Sequence, residues 1–141
     1  MKFLLDTDHI SIIQLRSGPE YAALSTRVQQ HATALAFCVI SFHEQMLGAH
    51  SFIGRARRSS DVVRGYKLIG EIIGVFSTAP VLPFDSAAAQ VFDTLRAQKI
   101  RVPTMDLRIA SIALSQALVV VTRNASDFAR VPALVTEDWT V

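Results

Sequence analysis

The chain has 141 residues, half of them hydrophobic and 18% charged, with a formal net charge of +2 and a pI near 9.0. That composition fits one globular domain over residues 1–141 and excludes a disordered polymer. The expected setting is the cytoplasm. No apolar stretch reaches the roughly 18 residues of a membrane span, the start has no signal-peptide pattern, and the lone Cys38 excludes an internal disulfide or a cysteine-cluster zinc site.

Phe3-Leu4-Leu5 predicts a short first strand that stops at Asp6-Thr7-Asp8. Ile10, Ile13 and Leu15 then recur at helical spacing, with Asp8 or Thr7 as the N-cap. Ser17-Gly18-Pro19-Glu20 breaks that helix, and a second is expected from about Glu20 through Tyr21, Leu24 and Val28. Leu35 to Ile40 is an unbroken apolar run with a β-branched end, the pattern of a buried strand, with Cys38 as an inert buried thiol. Ser41 with Glu44 three residues on matches a capping box opening a helix through Met46 and Leu47.

Residues 55–77 predict one or two helices, although Gly65, Gly70 and Gly74 weaken the pattern. Val81-Leu82 is a short strand between prolines, and Asp85-Ser86 caps an Ala-rich helix from Ala87 to about Gln98. Thr104 is expected to cap a helix ending near Gln116. Leu118 to Val121 is the clearest strand, Asp127-Phe128 a turn of helix, and Leu134-Val135 a last edge strand. Strands alternating with helices imply an α/β fold with a mostly parallel sheet, its strands buried on both faces.

Four of the 12 acidic residues fall at comparable places in this scheme. Asp6 follows the first strand, Glu44 follows the second, Asp106 opens the helix before the Val119 strand, and Asp127 lies just beyond that strand. Ligands of open α/β sheets bind outside the carboxyl ends of the strands. Each acid alone has a plainer reading as a helix cap or as a charge complementing a helix dipole. Two carboxylates about 4 Å apart repel by roughly 4 kcal/mol at an effective dielectric near 20. A cluster therefore needs shared protons or a cation. Oxygen ligands without cysteine or paired histidines suit Mg²⁺ or Mn²⁺, the apparatus of phosphoryl chemistry. For Asp8, capping or a rim position is expected rather than ligation. His9 and His43 are expected at the surface or packing between helices.

Basic residues gather in two stretches expected to be helical: Arg55, Arg57, Arg58, Arg64 and Lys67, then Arg96, Lys99, Arg101 and Arg108. They are either solvated faces or phosphate-binding rims.

Several motifs together resemble a known family. They are Leu4-Leu5-Asp6-Thr7-Asp8, Ser41-Phe42-His43-Glu44 with Leu47-Gly48-Ala49, Met105-Asp106-Leu107-Arg108-Ile109-Ala110, and Val121-Thr122-Arg123-Asn124 leading into Ala125-Ser126-Asp127-Phe128. With the Glu137-Asp138-Trp139 tail, they resemble the PIN-domain ribonucleases, closest to the VapC toxins of type II toxin–antitoxin pairs. The segment before Asp106 and Ser115-Gln116-Ala117-Leu118 lack glycines common in that family.

The resemblance implies a three-layer α/β/α domain and a Mg²⁺- or Mn²⁺-dependent endoribonuclease, a homodimer blocked by a small antitoxin protein. It implies a catalytic and metal site at Asp6, Glu44, Asp106 and Asp127, lined by Thr122, Asn124 and Asp8. RNA contacts are expected from Arg55, Arg57, Arg58, Arg108 and Arg123. The apolar residues of 50–77 would then serve a dimer face and an antitoxin groove rather than core alone. Two alternatives stand beside this. Asp6-Thr7-Asp8 mimics the nucleophile pair of a haloacid-dehalogenase-type phosphohydrolase, although Ile10 stands where that motif needs Thr or Val. The other is a catalytically silent module that binds metal or RNA.

Overall fold

The computed structural model describes residues 1–141. In chain order the elements are β1 (Phe3–Leu5), α1 (Thr7–Leu15), α2 (Pro19–Gln30), β2 (Leu35–Cys38), α3 (Val39–Arg55) and α4 (Ser59–Phe76). They continue as β3 (Val81–Leu82), α5 (Ser86–Ala97), α6 (Thr104–Ser115), β4 (Val119–Val121), α7 (Ala125–Phe128) and β5 (Thr136–Glu137). The five strands form one sheet in the order β3-β2-β1-β4-β5, and every pairing is parallel.

Side chains alternate across a strand, so β1, β2 and β4 each feed two cores. Phe3, Leu5, Leu35, Phe37 and Val121 face a cluster with Ile10, Leu24, Ile72, Phe76 and Trp139, from α1, α2, α4 and the tail. Leu4, Ala36, Cys38 and Val120 face the other way, onto Phe92, Leu95, Ile109 and Ile112 of α5 and α6. Helices therefore cover both faces, which is the expected α/β/α arrangement and the reason the inner strands β1, β2 and β4 are apolar throughout, whereas the edge strand β5 is Thr136–Glu137.

Several boundaries differ from expectation. The strand expected to reach Ile40 ends at Cys38, and α3 starts at Val39 without a side-chain cap. The Ser41–Glu44 capping box therefore does not form; Glu44 is the sixth residue of α3. β-Branched Val39 and Ile40 suit either element, and the pairing of Cys38 with Leu82 at the strand end decides where the ladder stops. Thr104 begins α6 rather than capping it, because Pro103 holds the extended cap position. The last strand is Thr136–Glu137, two residues beyond Leu134-Val135; its register on Val120 and Val121 sets its position. Arg57, Arg58, Lys99 and Arg101 lie in turns rather than on helices.

Gly65 lets α3 and α4 close into a hairpin. A Cβ there would fall inside the Ile53 side chain. No helix is long and apolar enough to cross a membrane.

Candidate active site

The strand order places the chain's reversal between β1 and β4: β2 and β3 build outward on one side of β1, β4 and β5 on the other. A crevice opens at such a switch point, outside the carboxyl ends of the strands. Asp6 sits there. Its backbone extends β1 by one more ladder bond, its amide donating to Val121 O at 2.9 Å. Its Oδ1 accepts from Thr7 N at 2.7 Å, which makes Asp6 the N-cap of α1, in place of Asp8 or Thr7. Capping uses one carboxylate oxygen. The other, Oδ2, accepts from Thr122 Oγ1 at 2.8 Å. Asp6 is thus both a cap and a member of the acidic group.

Thr122 follows β4 and is fully buried. Its hydroxyl also lies 3.2 Å from Asp8 Oδ2 and accepts from Asn124 N at 2.9 Å. It has one hydrogen for two carboxylates, and the shorter bond goes to Asp6. Asp8 Oδ2 takes a second donor, Arg123 N, at 2.9 Å. Asn124 Nδ2 reaches Asp127 Oδ2 at 3.0 Å and Asp106 Oδ2 at 3.4 Å. Glu44 Oε1 accepts from Thr7 Oγ1 at 2.8 Å. One network of hydrogen bonds therefore gathers Asp6, Asp8, Thr122, Asn124, Asp106 and Asp127, with Glu44 joined through Thr7.

Burial pushes the Asp6 carboxyl up to about 7, and the charge on Asp8 adds to this; hydrogen bonds from Thr122 and Thr7 pull the other way, and Asp106 contributes a smaller upward push. Asp106 is raised to about 6, first by burial, then by Glu44, Asp127 and Asp8. Burial also acts to raise Asp8, but hydrogen bonds from His9 and Arg123 N, the electrostatic attraction of His9 and a hydrogen bond from Thr122 together outweigh it, and its carboxyl lies below the usual range. These acids are close enough to feel one another, and two of them resist carrying charge.

The carboxylates do not close into a finished cage: no three acidic, histidine or cysteine side chains group tightly enough to hold an ion as they stand. The Asn124 amide instead bridges two of them. The donor set still fits a hard divalent cation. It offers only oxygen ligands, and a cation relieves the repulsion and burial that disfavour charge on Asp6 and Asp106. The site is an open edge. A cleft of about 460 Å³ lies elsewhere, between α1 and α4, lined by Ile13, Gln14, Arg16, Glu71, Gly74, Val75 and Thr78.

The basic candidates separate. Arg55, Arg57 and Arg58 are exposed at the α3–α4 corner, and Arg123 is exposed beside the acids. Arg108 lies over the Phe92 ring of α5 at 5.7 Å, and two residues along a helix point to different faces, so it does not join Asp106. His43 is exposed, as expected. His9 is packed rather than at the surface, and its partners are ones the sequence does not show: it is fully buried, with Nδ1 2.8 Å from Asp8 Oδ1 and Nε2 accepting from Trp139 N at 3.1 Å. Nothing in local spacing signals an interaction between residues at opposite ends of the chain.

No family model matches the chain. Two curated relatives do, each 31% identical over 143 residues, covering 99% of this chain and 98% of the relative. They are the tRNA(fMet)-specific endonucleases VapC of Salmonella typhimurium and Shigella flexneri. The chain belongs to the VapC family. The VapC fold extends over its whole length: the crystal structure of DNA-bound VapBC from Salmonella typhimurium superposes with a TM-score of 0.82 at 26% identity, covering 99% of this chain and 98% of that one. VapBC2 from Rickettsia felis, bound to a promoter DNA fragment, shares the fold with a TM-score of 0.77 at 18% identity, each chain covered to 99%. VapC membership disfavours the dehalogenase-type reading.

Proposed function

We propose that this VapC-family chain is a Mg²⁺- or Mn²⁺-dependent endoribonuclease, the toxin of a type II pair, acting in the cytoplasm until a cognate antitoxin covers it. The observation that carries the reading is the convergence of Asp6, Asp106 and Asp127 with Thr122 and Asn124 at the switch point of the sheet.

Asp6 and Asp106 would hold the ion, with Glu44 and Asp127 completing the set. A bound divalent ion lowers the pKa of water and neutralises charge gathering on the phosphate. Thr122 orients Asp6 through its hydroxyl, and Asp8 holds the Thr122–Asn124 turn in place. Asn124 can turn its amide from the carboxylates to a phosphate oxygen. Arg123 and the Arg55–Arg58 corner supply cations for the RNA backbone. An open acidic edge suits a polymer better than a closed pocket would.

Exposed Val63, Tyr66 and Ile73 on α4 and Leu47 on α3 support a partner-covered apolar surface, shared between a second copy and an antitoxin. The structural neighbours are VapBC complexes, which supports the antitoxin.

The test is cleavage of a structured RNA panel with Mg²⁺, Mn²⁺ or EDTA, wild type beside Asp6→Asn. Transfer RNAs belong in the panel because the curated relatives are named for one. Metal-dependent cuts lost in the variant support the reading. RNA bound in metal but never cut would make the chain a binding module.

A further inference from the structure

His9 belongs to no part of the acidic group, yet it connects that group to the far end of the chain. A backbone amide can only donate, so Trp139 N–H requires Nε2 of His9 as its acceptor, 3.1 Å away. The ring proton is therefore on Nδ1, where it is donated to Asp8 Oδ1 at 2.8 Å. Asp138 Oδ1 also lies 3.7 Å from Nε2, but Thr140 N and Thr140 Oγ1 already donate to it at 2.8 and 2.6 Å. The opposite oxygen of Asp8 holds Arg123 N and meets the Thr122 hydroxyl. Both ends of the imidazole are thus in use, and the ring is fully buried.

The far end of this relay is packed on several sides. Trp139 is fully buried, its ring edge-on to Phe3 at 4.8 Å and stacked on His31 at 5.1 Å. Its indole Nε1 donates to Glu137 Oε1 at 3.2 Å, and Glu137 O accepts from Thr122 N at 2.8 Å. The tail therefore reaches the turn after β4 by two routes: directly through the β4–β5 ladder, and through His9 and Asp8.

We propose that His9 is a positioning residue of the nuclease site: anchored on the Trp139 backbone, it fixes the Asp8 carboxylate, which in turn holds the Thr122–Arg123–Asn124 turn against Asp6. The inference rests on the nuclease reading for its effect on rate, though not for the relay itself. Partners of this outer kind typically change activity by about 10–100-fold when removed.

Two substitutions divide the ring. In His9→Asn the side-chain amide falls near the Nδ1 position and can still donate to Asp8, but cannot reach Trp139. In His9→Gln the carbonyl falls near Nε2 and can accept from Trp139, but nothing donates to Asp8. Amide hydrogen exchange at Arg123 and Trp139, thermal unfolding and single-turnover RNA cleavage are read on the full chain.

The expected result is that His9→Gln keeps Trp139 protected, loses protection at Arg123 and cuts at least ~10-fold more slowly with little change in KM. His9→Asn should expose Trp139 and melt lower, yet keep Arg123 protected and cut within a few-fold of wild type. Cleavage that follows melting temperature rather than the end of the ring replaced overturns the proposal. So does unchanged Arg123 protection in His9→Gln. Imidazole nitrogen shifts of the wild type are independent of either variant's folding: a singly protonated ring carrying its hydrogen on Nε2 overturns the proposal as well. If wild type cuts no RNA, the nuclease reading fails separately, and exchange and tautomer still decide the relay.

Discussion

At the residue scale, Asp6 combines two demands with opposite preferences. As an N-cap it should be charged, accepting from Thr7 N; as a buried acid among acids it should not be. A carboxyl whose folded pKa exceeds its unfolded value binds more protons folded than unfolded between the two. For Asp6, from 3.8 to about 7, and for Asp106, from 3.8 to about 6, stability therefore falls as pH rises through those windows. Asp8, lowered, works the other way: its contribution is present above its unfolded value and is lost only in more acidic solution.

Metal-free protein should accordingly melt highest near pH 4, fall progressively as pH rises to about 7 and level off above that, checked by calorimetry in EDTA. Asp6→Asn should remove much of that slope and raise the midpoint at pH 8, because Asn can still cap α1 and meet the Thr122 hydroxyl. The penalty it relieves is on the order of a few kcal/mol. The same variant should lose RNA cleavage. A variant that loses both cleavage and stability would show that Asp6 is chiefly structural.

At the scale of elements, the α3–α4 hairpin depends on one missing Cβ. Gly65 is buried against Ile53 and Phe52. Alanine within a helix gains about 1 kcal/mol over glycine, while overpacking costs about 1–3 kcal/mol. In wild type the clash should win, and Gly65→Ala should lower the urea midpoint. In an Ile53→Ala background the worst overlap is gone, leaving only the Phe52 ring at 3.2 Å to give slightly, and the same substitution should raise it. Equal effects in both backgrounds would remove the close approach as the reason for glycine. The hairpin also displays Arg55, Arg57 and Arg58 at its exposed corner. Reversing these to Glu should weaken RNA binding and flatten its salt dependence by about 0.7 in logarithmic slope for each phosphate no longer neutralised. Measured affinities across a salt series would show it; an unchanged slope would place the RNA elsewhere.

For the whole molecule, the parallel sheet and the acidic edge are one construction. Every strand points its carboxyl end to the same side, and the reversal beside β1 leaves a gap there that helices do not fill. An ion binding in that gap binds folded protein only, so it should stabilise by linkage. Mg²⁺ or Mn²⁺ should raise the melting temperature by several degrees at pH 8 and much less at pH 5.5, where protons compete for Asp6 and Asp106. In Asp6→Asn the rise should shrink. No rise at either pH, with RNA cleavage intact in EDTA, would remove the metal from the mechanism.

The alternation of strands and helices was legible in the residues alone, because inner strands buried on both faces must be apolar throughout and helices must show a periodic stripe. So was the common edge of Asp6, Asp106 and Asp127, because each stands at a strand end or in the first turn of a helix. Boundaries were less legible where side chains suit either element: Val39 and Ile40 read as strand but open α3, and the last strand lies past Leu134-Val135. Tertiary structure alone decided that Asp6, the local cap of α1, faces Thr122 with its other oxygen, that Glu44 answers Thr7 across two helices, and that His9 meets Trp139. Those bonds join segments far apart in the chain. Local propensity carries no information about such partners; the register of β1 on β4 and of β4 on β5 does.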